Sequence, residues 1–221
     1  MARVYALANQ KGGVAKTTST VNLGAALAER GRRVLLVDLD PQANLTMSQG
    51  FDPEKVESSM FDVLVHKVPI VDVIRQAEVA VAVSSIELAG AELALSSMIG
   101  RERALEKALV EVRDAYDFIL IDTPPSLGLL TINALSAANR LIVPVQCEYY
   151  ALEGLAQLLE SVERIRHSLN PDLALTGLLL TMFDRRTRLS SDVEREVRTH
   201  FGPKVFESVV PRSVQIGRAH V

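Results

Sequence analysis

Short apolar runs along this chain alternate with longer stretches in which apolar residues recur every three or four positions. The short runs predict strands at 4–8, 33–38, 79–83, 118–122, 140–145, 174–181 and 205–209. The longer stretches predict helices at 17–30, 87–98, 101–114, 128–138, 151–169 and 189–201. Strands that alternate with helices favour parallel pairing through right-handed crossovers. The pattern therefore predicts a three-layer α/β fold with a mostly parallel sheet flanked by helices.

Length and composition narrow this picture. The 221 residues suffice for one α/β domain, and no linker, repeat or low-complexity tract divides them. No apolar stretch approaches the length of a membrane span, and no signal peptide is visible at the N-terminus. One cysteine, Cys147, excludes an internal disulfide and indicates a reducing cytoplasm.

The charge of the chain is unevenly distributed. A net charge of −3 argues against a uniformly basic nucleic-acid binder. Residues 164–221, however, carry ten basic and six acidic side chains, so the rest of the chain is strongly acidic. A local basic face in the C-terminal third is therefore compatible with the composition.

A glycine-containing loop follows the first predicted strand and precedes the first predicted helix. Such a loop turns backbone N–H groups inward at a helix N-terminus, where the helix dipole favours an anion. Lys16 can reach the outer phosphates of a nucleotide, and the Thr17 hydroxyl can ligate Mg²⁺. The predicted nucleotide-binding residues are Lys11, Gly12, Gly13, Val14, Ala15, Lys16, Thr17 and Thr18.

This loop departs from the strict P-loop pattern at two positions. Gln10 stands where the first glycine belongs, and Ala15 stands where the second belongs. We expect Ala15 to adopt a negative φ, because a residue with a Cβ rarely adopts a positive one. A second lysine, Lys11, stands at the entrance of the loop.

Three carboxylates follow predicted strands. Asp122 ends an apolar strand, which is where P-loop proteins place the carboxylate that supports Mg²⁺. Asp38 and Asp40 follow the second strand at alternate positions, which an extended chain places on the same side. Since ligand sites gather beyond the carboxyl ends of parallel strands, we expect these residues and the loop to form one site. The predicted metal-binding residues are Thr17, Asp38 and Asp122. The segment around Asp40 could contribute to catalysis, and the alternative is that it forms an ordinary Asp-Pro turn.

The loop with its extra lysine resembles the deviant Walker A motif of the ParA/MinD family of dimerising ATPases. Further segments resemble chromosomal ParA (Soj-type) partition ATPases: 9–10, 38–42, 122–128, 146–154 and 181–184. The resemblance implies a P-loop NTPase fold, with ATP and Mg²⁺ bound and an ATP-dependent homodimer. It assigns Asp40 to hydrolysis, Lys16 to the phosphates in cis and Lys11 to the partner's phosphates in trans. It places Asp38 in the magnesium and phosphate network, and Pro211 is a further predicted nucleotide contact.

The resemblance also implies macromolecular partners. A ParB-type protein would stimulate slow, Mg²⁺-dependent hydrolysis, and DNA would be bound without sequence preference. Arg186 occupies the position of an arginine implicated in DNA binding, and Arg185 and Arg188 flank it; charge alone favours a solvated surface there. The expected location is the cytoplasm, on the nucleoid and not on a membrane. The alternatives are a MinD-like membrane-associated positioning ATPase and a nucleotide-gated DNA-binding regulator with negligible turnover.

The last residues no longer resemble the family. We therefore expect residues 1–215 to form a single P-loop ATPase domain that lacks its C-terminal part. Residues 216–221 would be a non-native tail.

Overall fold

Eight strands form one sheet in a computed structural model that describes residues 2–148 and 151–212. The strands, in chain order, are β1 (Arg3–Leu7), β2 (Val34–Asp38), β3 (Ile74–Arg75), β4 (Ala80–Ala82), β5 (Phe118–Asp122), β6 (Arg140–Gln146), β7 (Ala174–Phe183) and β8 (Val205–Pro211). They lie in the order β3-β4-β2-β5-β1-β6-β7-β8. Every pairing is parallel except that of β3 with β4, which confirms the predicted mostly parallel sheet.

Helices connect most of these strands. They are α1 (Lys16–Ala28), α2 (Asn44–Ser48), α3 (Ala91–Leu95), α4 (Ala104–Leu109), α5 (Leu129–Ala137), α6 (Ala151–Ser168) and α7 (Arg188–Phe201). The two predicted helices at 87–98 and 101–114 are each shorter than expected. A 3₁₀ turn occupies their first residues, and α3 and α4 end three and five residues before the predicted limits. Among the described residues, no helix combines the length and the apolar character needed to cross a lipid bilayer.

Apolar side chains pack on both faces of the sheet, which makes the fold three-layered. Leu36 faces α1, while its neighbours Leu35 and Val37 face the opposite side, as the two-residue period of a strand requires. Gly24 lets α1 lie close to the sheet, since a Cβ there would come within 2.7 Å of Leu36 Cδ2. The helix that follows the glycine loop is therefore held firmly against β2.

Strand register places the predicted site residues at one edge of the sheet. Leu7 and Asp38 both pair with Asp122, so β1, β2 and β5 end side by side. The loop from β1 to α1 leaves this edge, and β1 lies between β5 and β6, where the order of the strands reverses. Such a reversal opens a crevice that a ligand can enter.

Candidate functional site

Two residues of the glycine loop, just before α1, have backbone dihedral angles in the left-handed region. Gly13 has φ 71°, and Ala15 has φ 64° and ψ 35°. The expectation of a negative φ at Ala15 was therefore wrong. The loop must turn directly into a helix that begins at Lys16, and the left-handed conformation makes that turn. This conformation costs a residue with a Cβ roughly 1–2 kcal/mol.

The Lys16 ammonium lies inside the curl of the loop. The side chain is buried, and its Nζ donates to the Lys11 carbonyl at 3.0 Å. Burial lowers the pKa of Lys16, and the nearby carboxylates of Asp122 and Asp40 oppose that shift. The ammonium is held where a bound phosphate would replace the loop carbonyl as its acceptor.

Asp122 receives hydrogen bonds from α1. Thr17 Oγ1 donates to Asp122 Oδ2 at 2.5 Å, and Thr20 Oγ1 lies 3.4 Å from Asp122 Oδ1. The carboxyl group has no exposed surface, and this burial raises its pKa to about 7. The structure therefore brings a hydroxyl and a carboxylate from distant parts of the chain together at the N-terminus of α1.

Asp38 and Asp40 have different surroundings, although both lie near enough to Asp122 to raise its pKa. β2 ends at Asp38, so the alternation of an extended strand no longer applies at Asp40. Asp38 Oδ2 accepts from the backbone N and the Oγ1 of Thr46 at 2.8 and 2.7 Å, and burial raises the Asp38 pKa to about 6. Asp40 accepts from the Gln42 backbone N at 3.0 Å and lines the open cleft. Asp38 thus anchors α2, while Asp40 faces the space beside the loop.

An open cleft of about 730 Å³ lies between the loop, the start of α1 and the segment after β2. This volume lies in the range of small-molecule sites. Its lining residues are Gly12, Gly13, Ala15, Lys16, Thr17, Thr18, Val21, Asn22, Asp40, Gln42, Asn44, Ser48, Pro125 and Met182. Of the predicted nucleotide-binding residues, Val14 is packed inward and Pro211 lies at the end of β8, beside Phe183.

Two buried threonines from segments distant in sequence hold the loop and the strand before it. Thr123 Oγ1 donates to the Leu7 carbonyl at 2.8 Å. Thr181 Oγ1 donates to the Val14 carbonyl at 3.1 Å. Both threonines have no exposed surface. Their partners lie more than 100 positions away in sequence, so no local pattern signals these contacts.

Lys11 differs from Lys16 because it points outward. Its side chain is about half exposed, and its Nζ contacts the Glu148 carboxylate. The two lysines of the loop are therefore separated, with one inside the curl and one facing the surroundings.

Comparison with known proteins agrees with this geometry. A family profile described as "AAA domain" matches residues 2–175. The chain is 50% identical to the sporulation initiation inhibitor protein Soj of Bacillus subtilis, over 99% of this chain and 88% of that protein. It is 46% identical to the chromosome partitioning protein ParA of Caulobacter vibrioides, over 98% of this chain and 83% of that protein.

The chain belongs to the ParA/Soj family of partitioning ATPases. A solved structure named as cobyrinic acid a,c-diamide synthase from Mycobacterium smegmatis, with bound ADP and magnesium, superimposes with a TM-score of 0.92. The two sequences are 46% identical, and the match covers 96% of this chain and 88% of that one. The same protein also has a structure with an ATP analogue and magnesium. Nucleotide and Mg²⁺ are thus the ligands found with this fold in a similar chain.

The residues of this ParA/Soj-family chain fit Mg²⁺ and a nucleotide. Hydroxyl and carboxylate oxygens are the ligands that Mg²⁺ prefers, and Thr17 and Asp122 present both within 2.5 Å of each other. Lys16 is buried, so its ammonium is already largely desolvated. Among the described hydrogen bonds, the ammonium donates only to the Lys11 carbonyl. A phosphate oxygen is a stronger acceptor for an ammonium than a neutral carbonyl.

The predicted DNA-binding arginines of this family member lie between β7 and α7. Arg185 and Arg186 are exposed, and Arg188 is the first residue of α7. Arg186 forms a two-pronged ion pair with Asp184, with Nε–Oδ1 at 2.9 Å and Nη2–Oδ2 at 2.7 Å. This pair holds the pKa of Asp184 well below its usual range. A phosphate would therefore have to compete with Asp184 for Arg186.

Proposed function

We propose that this chain is a dimerising ATPase that binds DNA without sequence preference during chromosome or plasmid partition. A ParB-type partner would stimulate its slow hydrolysis, and DNA binding would place it on the nucleoid. The observation that carries the proposal is the different placement of the two loop lysines. Lys16 is buried beside Asp122 and the cleft, whereas Lys11 faces outward.

The phosphates would bind within the curl of the loop. Backbone N–H groups at the start of α1 and the Lys16 ammonium would bind their oxygens. Thr17 and Asp122 would hold Mg²⁺. Asp38, which pairs in register with Asp122 and accepts from Thr46, would belong to the same magnesium and phosphate network. When bound, Mg²⁺ neutralises the charge that develops on the phosphate oxygens.

Asp40 would orient the attacking water. It lines the cleft, and its carboxylate accepts one hydrogen bond from the Gln42 backbone, which leaves further lone pairs for a water. Phosphoryl transfer depends on positioning and electrostatic stabilisation more than on covalent participation of the protein. A fixed carboxylate can therefore set the hydrolysis rate without forming a bond to the substrate.

Dimerisation would bring Lys11 of one subunit to the phosphates of the other. An exposed cation supplied in trans adds charge at the reacting phosphate, as an arginine finger does. Glu148 contacts Lys11 in the single chain, so closure of the dimer would exchange this carboxylate for a phosphate. ATP would thereby stabilise the dimer.

Gly12→Val should prevent dimer closure while Mg-ATP binding changes little. A Cβ at Gly12 would lie 3.8 Å from Pro125 Cβ, which is ordinary contact, so the first carbon of the added side chain does not clash within the single chain. The added volume would instead obstruct a second subunit that approaches the mouth of the cleft. Light scattering with a non-hydrolysable ATP analogue measures the dimer, and a fluorescent nucleotide measures binding.

Gly12→Ala is the graded control for this prediction. Its smaller side chain should weaken the dimer less than valine does. A Gly12→Val protein that forms the dimer as readily as the parent would remove Gly12 from the interface.

DNA binding would use the loop between β7 and α7. Cationic side chains that contact phosphates bind DNA of any sequence. Each phosphate that they neutralise makes the DNA affinity fall more steeply as the salt concentration rises. Arg185, Arg186 and Arg188 supply three such cations within four residues. Asp184 opposes binding, since it neutralises Arg186 in the free chain.

Arg186→Ala should weaken binding to unrelated duplexes equally and reduce the salt slope by about 0.9 for each phosphate that is no longer neutralised. Asp184→Asn should have the opposite effect and raise affinity, because Arg186 loses its charged competitor. Asp192→Asn is the matched control, since it removes an acidic partner from Arg195 on the exposed surface of α7. An equal gain from Asp184→Asn and Asp192→Asn would show a net-charge effect only. Fluorescence anisotropy at several salt concentrations measures all four proteins.

Two other functions use the same nucleotide site. The M. smegmatis neighbour is named as a synthase, and a regulator with negligible turnover would bind nucleotide without hydrolysing it. ATP turnover without any acceptor molecule argues against the synthase. Turnover that rises with DNA and a ParB-type protein argues against the regulator.

A further inference from the structure

Thr181 connects the end of β7 to the glycine loop. Its hydroxyl donates to the Val14 carbonyl at 3.1 Å, across 167 positions of sequence. The sheet fixes Thr181 from the other side, because its own carbonyl accepts from the Cys147 backbone N at 3.1 Å. Thr181 and Val14 are both buried, so water does not compete for this bond.

The carbonyl that Thr181 holds belongs to the peptide before Ala15. In a trans peptide the N–H points opposite to the C=O. The Ala15 N–H therefore points away from Thr181, and Ala15 lines the cleft. This peptide orientation presents a donor to a bound phosphate.

The backbone conformation that follows this peptide is unfavourable for alanine. Ala15 has φ 64°, a region that disfavours residues with a Cβ. Rotation of the Val14–Ala15 peptide would bring Ala15 to a negative φ and relieve that strain. It would also break the bond to Thr181 and turn the Val14 carbonyl toward the phosphates, where it would repel them. A glycine, which the strict P-loop has at this position, is under no such strain.

We propose that Thr181 is a positioning residue for nucleotide binding, whose hydroxyl holds the Val14–Ala15 peptide against the preference of alanine for negative φ. The inference rests on the proposed nucleotide site and adds a residue that does not touch the nucleotide. It also explains how this chain keeps a working loop orientation with alanine at position 15.

A double-mutant cycle tests this coupling, with Mg-ADP as the probe and calorimetric titration as the readout. Thr181→Val keeps the shape of the side chain and removes the donor. We expect it to weaken Mg-ADP binding about tenfold in the parent chain. In the Ala15→Gly background, the same change should weaken binding about twofold or less, because no strain drives the peptide to rotate.

Two controls separate positioning from folding. Thr181→Ser retains the hydroxyl and should keep the affinity within about twofold of the parent, while Thr181→Ala should lose it as Thr181→Val does. Thermal melting without nucleotide shows whether Thr181→Val prevents folding. If it does, the comparison of Thr181→Ser with Thr181→Ala replaces it in the test.

The possible results are distinct. An equal loss from Thr181→Val with and without Ala15→Gly overturns the proposal, as does no loss in either background. Failure of the parent chain itself to bind Mg-ADP would instead overturn the proposed function.

Discussion

Asp40→Ala should reduce ATP hydrolysis about a hundredfold or more while Mg-ATP binding and dimerisation persist. Asp40 lines the cleft, but the phosphate-binding groups lie on the loop and on α1. Loss of one preorganised group at a reacting centre typically costs 10²–10³ in rate. Phosphate release in a single turnover measures the rate, and light scattering with ATP measures the dimer.

Asp52→Ala is the matched control for this substitution. Asp52 is an exposed aspartate that pairs with Lys55, and it is not among the residues that line the cleft. Removal of the same charge there should leave turnover unchanged. Unchanged turnover in Asp40→Ala would contradict the assignment of Asp40 to hydrolysis.

Lys16→Ala should abolish useful Mg-ATP binding, with affinity lowered by at least about thirtyfold. The ammonium is buried, so it would make a desolvated, charge-assisted contact to phosphate. Loss of one partner from such a pair costs roughly 2–5 kcal/mol. A fluorescent ATP analogue measures the effect at a fixed Mg²⁺ concentration.

Lys55→Ala provides the control for charge alone, because Lys55 is highly exposed and pairs with Asp52. We expect that variant to bind Mg-ATP like the parent. Mg-ATP binding in Lys16→Ala within a few-fold of the parent would contradict the proposed phosphate contact.

The central strands were predictable because they are buried on both faces. β1, β2 and β5 each begin or end within one residue of the predicted limits, and their side chains form nearly continuous apolar runs. β3 was missed because it has two residues at the edge of the sheet and pairs antiparallel with β4. Such a short segment has no periodicity to detect.

The contiguous parts of the site were also visible in the sequence. The residues of the loop and the Asp38–Gln42 segment are neighbours in the chain, so their spacing carries the signal. The contacts of Thr181 and Thr123 gave no signal, since each threonine meets its partner only after the sheet has formed. The residues 213–221, which include the expected non-native tail, lie outside the described residues.

Ala15 shows why a motif alone does not determine local conformation. Propensity favours a negative φ for alanine, but the loop turns into a helix in one residue and requires φ 64°. Tertiary contacts, among them the hydroxyl of Thr181, oppose the local preference. Sequence patterns therefore located the loop but did not predict its backbone conformation.

The most direct test of the central claim is the affinity of the chain for a fluorescent duplex of arbitrary sequence, measured with Mg-ATP and with Mg-ADP. Asp40→Ala is the form to use, because it should hold the ATP state without turnover. We predict that Mg-ATP raises DNA affinity at least about tenfold over Mg-ADP, equally for unrelated sequences, since paired basic faces act together only in the dimer. Equal affinity with the two nucleotides would contradict an ATP-dependent, DNA-binding dimer.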